Sequence, residues 1–214
     1  MFNFTTIIAN IPALLIGFAF HEYAHAWVAD RLGDPTPRSQ GRLTMNPFVH
    51  LDIFGTLMAV LYSFGWAKPV QTQPHYFKGN KERGRILVSI AGPLSNLVVA
   101  FLAMFLWIIT LAFLGDSSWS NTISQLFRAV VVLNLGLGVF NMLPIPPLDG
   151  FSILRGVVPR KYSNVLNTLE TYGMFILVII LFTNFLGAFL RPVVSGLYAF
   201  YRDTAIFLLS PFIG

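Results

Sequence analysis

The chain has 214 residues, 55% of them hydrophobic and only 11% charged, with 21 Phe and a mean hydropathy of +0.68, a membrane composition that leaves no room for a soluble domain of ordinary size. There is no Cys, which excludes disulfides and thiolate metal sites, so any metal must be held by His and carboxylates. The net charge of +5 comes from basic residues in loops between apolar spans, which points to membrane topology and away from nucleic acid.

Apolar segments fall at about 4–29, 51–65, 86–114, 125–143, 171–190 and 193–209. The first contains His21-Glu22-Tyr23-Ala24-His25. Imidazoles four residues apart share one helical face and can bind one metal ion, and the Glu between them is placed to take a proton from water there. An ionisable residue at bilayer depth costs about 2.5–3.5 kcal/mol on insertion scales and is functional by default. The bland alternative is a helix end with its polar residues among the headgroups.

The stretches 30–50 (Arg31, Arg38, Arg42) and 66–85 (Lys68, Lys78, Lys81, Arg83, Arg85) both belong in the cytoplasm by loop charge. Segment 51–65 between them has about fifteen residues, short of the roughly twenty needed to cross, and is expected as a re-entrant or interfacial element. His50 and His75 are lone loop histidines, expected to be solvated, although His50 belongs to a motif discussed below. Trp66, Trp107 and Trp119 are expected as interfacial anchors.

Segment 86–114 opens with Gly92-Pro93-Leu94-Ser95-Asn96, whose Asn amide can donate to a substrate carbonyl or a developing oxyanion, or simply bond a neighbouring helix. The loop 115–124 has no basic residue and goes outside, while 150–170, with Arg155, Arg160 and Lys161, returns to the cytoplasm. Five crossings follow, with the N-terminus outside and the C-terminus inside.

A catalytic zinc takes three protein ligands. Asp30, Asp34 and Asp116 lie in loops, Asp203 lies near the C-terminal end, and Glu170 opens a later span. Asp149 differs, because it follows an apolar helix in Asn141-Met142-Leu143-Pro144-Ile145-Pro146-Pro147-Leu148-Asp149-Gly150, where three prolines break the backbone. Broken backbone at membrane depth lines a cavity or is buried in protein. The alternative is a turn with Asp149 capping the next helix. Depth brings the motifs together: at 1.5 Å per residue, His21, Asn96 and Asn141 lie about 26, 27 and 24 Å below the outer boundary of a core about 30 Å thick, all near its cytoplasmic side.

At these residues the chain resembles the site-2 proteases, intramembrane zinc metalloproteases, and specifically a compact prokaryotic branch without a PDZ domain. The likeness rests on His21-Glu22-Tyr23-Ala24-His25, Gly92-Pro93-x-x-Asn96 and Asn141 through Leu148-Asp149-Gly150, and on Asn46-Pro47-Phe48-Val49-His50-Leu51-Asp52 and Gly65-Trp66-Ala67-Lys68-Pro69-Val70. It implies one Zn2+ per chain on His21, His25 and Asp149, Glu22 as catalytic base, and Asn96 and Asn141 near the substrate backbone or oxyanion. The implied fold is an all-α polytopic membrane protein. A three-helix catalytic core (1–158) would be followed by C-terminal transmembrane helices (159–214), with a re-entrant segment and a short extended, β-like one.

The implied partners are the lipid bilayer and a single-span or other transmembrane protein substrate, which must unwind before its peptide groups can be attacked. Within the polar stretch 66–73, Lys68-Pro69-Val70-Gln71 is expected to clamp the unwound chain as an added strand; a plain linker is the alternative. Two rivals predict different chemistry. An intramembrane ion-binding transporter or channel would spread polar residues over several depths. A prenyl-protein protease with the same pentapeptide would take its third ligand from Glu170.

Overall fold

The computed structural model describes residues 4–62, 65–115, 117–183 and 185–213. It is 80% helical, and no sheet forms among the described residues, so nearly every backbone group is satisfied within its own helix, as hydrocarbon demands. Three stretches, Lys81–Leu114, Trp119–Asn141 and Arg160–Leu181, are long and apolar enough to cross a membrane.

The centre is a packed trio. Helix α1 (Phe4–Arg31) carries the pentapeptide, and two short turns follow it, α2 (Thr36–Ser39) and α3 (Pro47–His50). After α4 (Ile53–Tyr62) comes α5 (Lys81–Leu114), started by the Asn80 side chain accepting from the Arg83 N–H at 3.0 Å. It stops at Gly115, whose φ is +53°. Helix α6 (Ser118–Asn141) is capped by Ser117, which accepts from the Ser120 N–H at 3.1 Å. Ala13, Ala100 and Ala103 are buried between α1, α5 and α6, where small side chains let helices approach closely without a hydrophobic driving force. Phe113, Phe175 and Phe207 point outward, as lipid contact requires.

Past α6 the chain breaks at the expected prolines and restarts as α7 (Asp149–Val157), which packs on α5. Gly150 is required here, since a Cβ would strike the carbonyls of Met142 and Leu143, which fold back against the start of α7. Helices α8 (Ser163–Phe182) and α9 (Phe185–Ile213) complete the chain. Leu177 and Leu186 pack on Leu143 and Leu148, and Ala205 joins the central core.

Two expectations need correction. The last two segments were expected to divide at Arg191-Pro192, yet α9 runs straight through Pro192. The break comes at Thr183, whose N–H and hydroxyl both donate to the Ile180 carbonyl and close α8. The β-like stretch is reduced to a single antiparallel bridge, Leu51 to Ala67, beside a Lys68 N–H to His50 carbonyl bond of 2.8 Å. Trp107 is half-buried, its ring edge-on to Tyr198 of α9 at 6.4 Å. Segment 51–65 holds the ten-residue α4, about 15 Å long and too short to cross, with Ile53, Phe54 and Leu57 exposed. Residues 63 and 64 of that segment, and Asp116, lie outside the described residues.

Candidate metal centre

His21 and His25 stand one turn apart on the buried face of α1, ring planes at 87° and Nε2 atoms 3.0 Å apart. Asp149, at the first turn of α7, brings Oδ2 to 3.1 Å from His21 Nε2 and 3.3 Å from His25 Nε2. The far nitrogens explain the protonation. His21 Nδ1 donates to Asn96 Oδ1 at 2.7 Å, and His25 Nδ1 donates to the Val88 carbonyl at 2.7 Å. With each ring's proton used there, both Nε2 atoms present lone pairs to the same point as a carboxylate oxygen that has no hydrogen-bond donor of its own. Three buried lone pairs facing one another repel unless a cation lies between them.

The donor set suits one metal: two neutral imidazoles and a carboxylate, with ligand atoms all within 4.8 Å of one another and each imidazole steered by a second bond. Gly92 makes the cradle. A Cβ there would fall on His25 Nε2 and lie 2.8 Å from His21 Cε1, so only glycine lets α5 pass this close.

Glu22 is buried beside the pair, its Oε2 accepting the Val70 N–H at 2.8 Å. The expected clamp therefore lies over the expected base. Two buried charges hold that segment. Arg42 donates to the carbonyls of Val49, Lys68 (2.6 Å) and Pro69 (3.0 Å), with no carboxylate partner among its hydrogen bonds. Asp34, fully buried, accepts the N–H groups of Thr36 at 2.9 Å and Gln73 at 2.5 Å. Gln40 adds a 3.0 Å bond to Gln71.

The remaining residues fall elsewhere. Asn96 is fully buried with both amide N–H groups engaged, to the Gly17 carbonyl at 3.0 Å and Asn134 Oδ1 at 2.9 Å. Asn141 turns one N–H back to the Leu137 carbonyl of its own helix at 2.9 Å. His50 is fully buried, contrary to the solvated position expected, because its Nε2–H donates to the Thr44 carbonyl at 2.8 Å. His75 is exposed and stacks on Tyr76. Glu170 pairs with Arg155, tying α7 to α8, and so does not serve as a third ligand. Sequence reading missed Asn134, Arg42 and Asp34 as parts of the site.

A helical membrane protein with a buried pair of histidines and a carboxylate gathered around one point belongs to the class of membrane metalloenzymes. Comparison with known proteins gives the family. The profile of "Peptidase family M50" matches residues 9–113 and 107–183. Over 203 residues the chain is 42% identical to "Putative zinc metalloprotease YwhC" of Bacillus subtilis (strain 168), covering 94% of this chain and 90% of that one. It is 30% identical over 199 residues to "Putative zinc metalloprotease Rip2" of Mycolicibacterium smegmatis, covering 89% and 73%. No solved structure matches. The chain belongs to peptidase family M50, the site-2-type zinc metalloproteases, and its cofactor is Zn2+.

Proposed function

We propose that the chain hydrolyses peptide bonds in the transmembrane segments of other membrane proteins, near the cytoplasmic face of a multi-pass fold, with one zinc ion on His21, His25 and Asp149. The observation that carries this reading is the convergence of two imidazoles and a carboxylate, with ligand atoms all within 4.8 Å of one another, directly beside a buried carboxylate, Glu22. Zinc bound there supplies a Lewis acid that makes water more acidic and polarises a carbonyl.

Glu22 is the general base. Its Oε2 is held by the Val70 N–H, which aims the carboxylate and leaves Oε1 to take a proton from water and pass it to the departing amine. Asn96 has no N–H to spare, so we assign the oxyanion contact to the second N–H of Asn141. Lys68 to Gln71 offers an extended backbone edge for an unwound substrate to pair with. A polar cavity of about 320 Å³, lined by Thr72, Glu82, Ser89, Ser152 and Arg155, also touches Val88, whose carbonyl holds His25. Among the described residues the buried ionisable groups, His21, Glu22, His25, Asp34, Arg42 and His50, lie on the pentapeptide turns of α1 and in the stretch just after that helix, not along a path through the other helices, which favours a hydrolytic site over ion transport.

The test is reconstitution of the purified protein with single-span substrates, with and without a chelator. Cleavage is expected to require metal, and Glu22→Gln is expected to keep zinc while losing about 10³-fold or more in rate. Normal turnover by that variant would remove Glu22 from its role.

A further inference from the structure

We propose that Asn134 is a positioning residue of the metal centre: acting through Asn96, it keeps the His21 proton on Nδ1 and so keeps the Nε2 lone pair free for the metal. Asn134 lies in the apolar middle of α6, between Val130, Val131 and Leu135, and is fully buried. A polar amide there calls for a reason, and its hydrogen bonds supply one.

The chain of donation has only one direction. Asn134 Nδ2 donates to the Val130 carbonyl at 2.9 Å, and a carbonyl can only accept, so Asn134 must turn its oxygen across to α5. That oxygen takes one Asn96 N–H at 2.9 Å, and the Gly17 carbonyl of α1 takes the other at 3.0 Å. Rotating the Asn96 amide by half a turn would set its oxygen against two acceptors at once. Its oxygen is thereby fixed towards His21, 2.7 Å from Nδ1, where only a protonated nitrogen satisfies it. Proton placement on His21 is thus set by two backbone carbonyls, with two asparagines relaying the instruction.

Without Asn134 the relay loses one end. In Asn134→Leu, Asn96 in its present orientation leaves a buried N–H unpaired. In the rotated orientation its oxygen is opposed by the Gly17 carbonyl alone, where wild type sets two acceptors against it, and the amide then donates to His21 Nδ1 and drives that proton to Nε2, the metal-facing atom. Asn134→Asp, as the neutral acid, can accept from Asn96 and donate to Val130, and so restores the relay. Leu135→Ala removes packing from the same helix without touching the hydrogen bonds.

Purified protein is titrated with zinc against a fluorescent chelator, and the histidine tautomer of the zinc-free protein is read by ¹⁵N NMR of labelled imidazoles. Asn134→Leu is expected to bind zinc about tenfold more weakly, with a smaller share of His21 in the Nδ1–H form than in wild type. Asn134→Asp is expected to stay within about threefold of wild type. Leu135→Ala is expected to unfold at lower temperature with its zinc affinity unchanged. If Asn134→Leu does not accumulate, Asn134→Ala takes its place. Wild-type affinity and tautomer in the leucine or alanine variant would overturn the inference, as would an equal loss of zinc in Leu135→Ala. The inference rests on the proposed metal site but not on proteolysis: a wild-type protein without zinc affinity sinks both, whereas normal zinc binding by Asn134→Leu sinks this one alone.

Discussion

The two sides of the proposed site are built differently. On the metal side, His21, His25 and Asp149 stand on helices α1 and α7, steered by Asn96 and Val88 of α5, and every bond runs between packed helices. On the other side, Glu22 meets a backbone N–H from an extended stretch that joins no sheet and depends on Arg42 and Asp34 for its place. A metal tolerates little error in ligand position, which helix packing can meet. In the proposed mechanism a polypeptide has to enter, and a wall of backbone hydrogen bonds facing Glu22 is one that an incoming chain can exchange for its own.

The sharpest way to break this contrast is at Gly92. A methyl group there would collide with both imidazoles, and the buried α5 backbone has nowhere to retreat. Gly92→Ala is expected to lower zinc affinity about 100-fold, measured by chelator competition, with the extended segment unmoved. Normal zinc binding would mean the imidazoles are not held as rigidly as claimed.

A smaller effect is expected from the opposite side. Arg42→Leu leaves the carbonyls of Val49, Lys68 and Pro69 without their donor, so the segment loses its register over Glu22. Misplacing reacting groups by about 1 Å can cost on the order of 100-fold, and a loss of about 10–100-fold in kcat/KM is expected, with zinc affinity unchanged. If zinc affinity fell in step, the two sides would form one structural unit and the contrast would fail.

The difference also explains what could be read in advance. The spacing of His21 and His25, and an aspartate placed just beyond a proline break, carry their chemistry in side-chain identity, and the structure brings those residues together. Asn134 looks like any isolated amide in an apolar helix until Asn96, 38 residues away, is seen against it. Arg42 reads as a topological charge because its partners are carbonyls, which every residue possesses. The Val70 N–H is equally anonymous; only proline would lack it. The misplaced boundary at Arg191-Pro192 has a similar cause, since a proline is tolerated inside a membrane helix while a threonine hydroxyl at 183 closes one.

The smallest expected effect lies where the two sides join. Asp30, at the end of α1, receives two bonds from Arg38 at 2.9 and 2.8 Å, tying the metal helix to the loop that carries Asp34 and Arg42. The Arg38 guanidinium holds the Asp30 carboxyl below the usual carboxylate range, even against the desolvation that would raise it. A lowered value in the folded state means the pair contributes stability above the ordinary carboxylate pKa, about 3.9, and loses it as pH falls through the folded value. Because the pair is exposed and screened, Arg38→Ala is expected to shift the unfolding temperature by less than about 2 °C at pH 7, with the difference from wild type vanishing in strong acid. Proteolysis and zinc affinity should stay within about twofold of wild type, since the variant leaves the bonds of Asp34 and Arg42 in place. A large loss of cleavage in Arg38→Ala would show that the end of α1, and not the two buried charges, sets the position of the segment over Glu22.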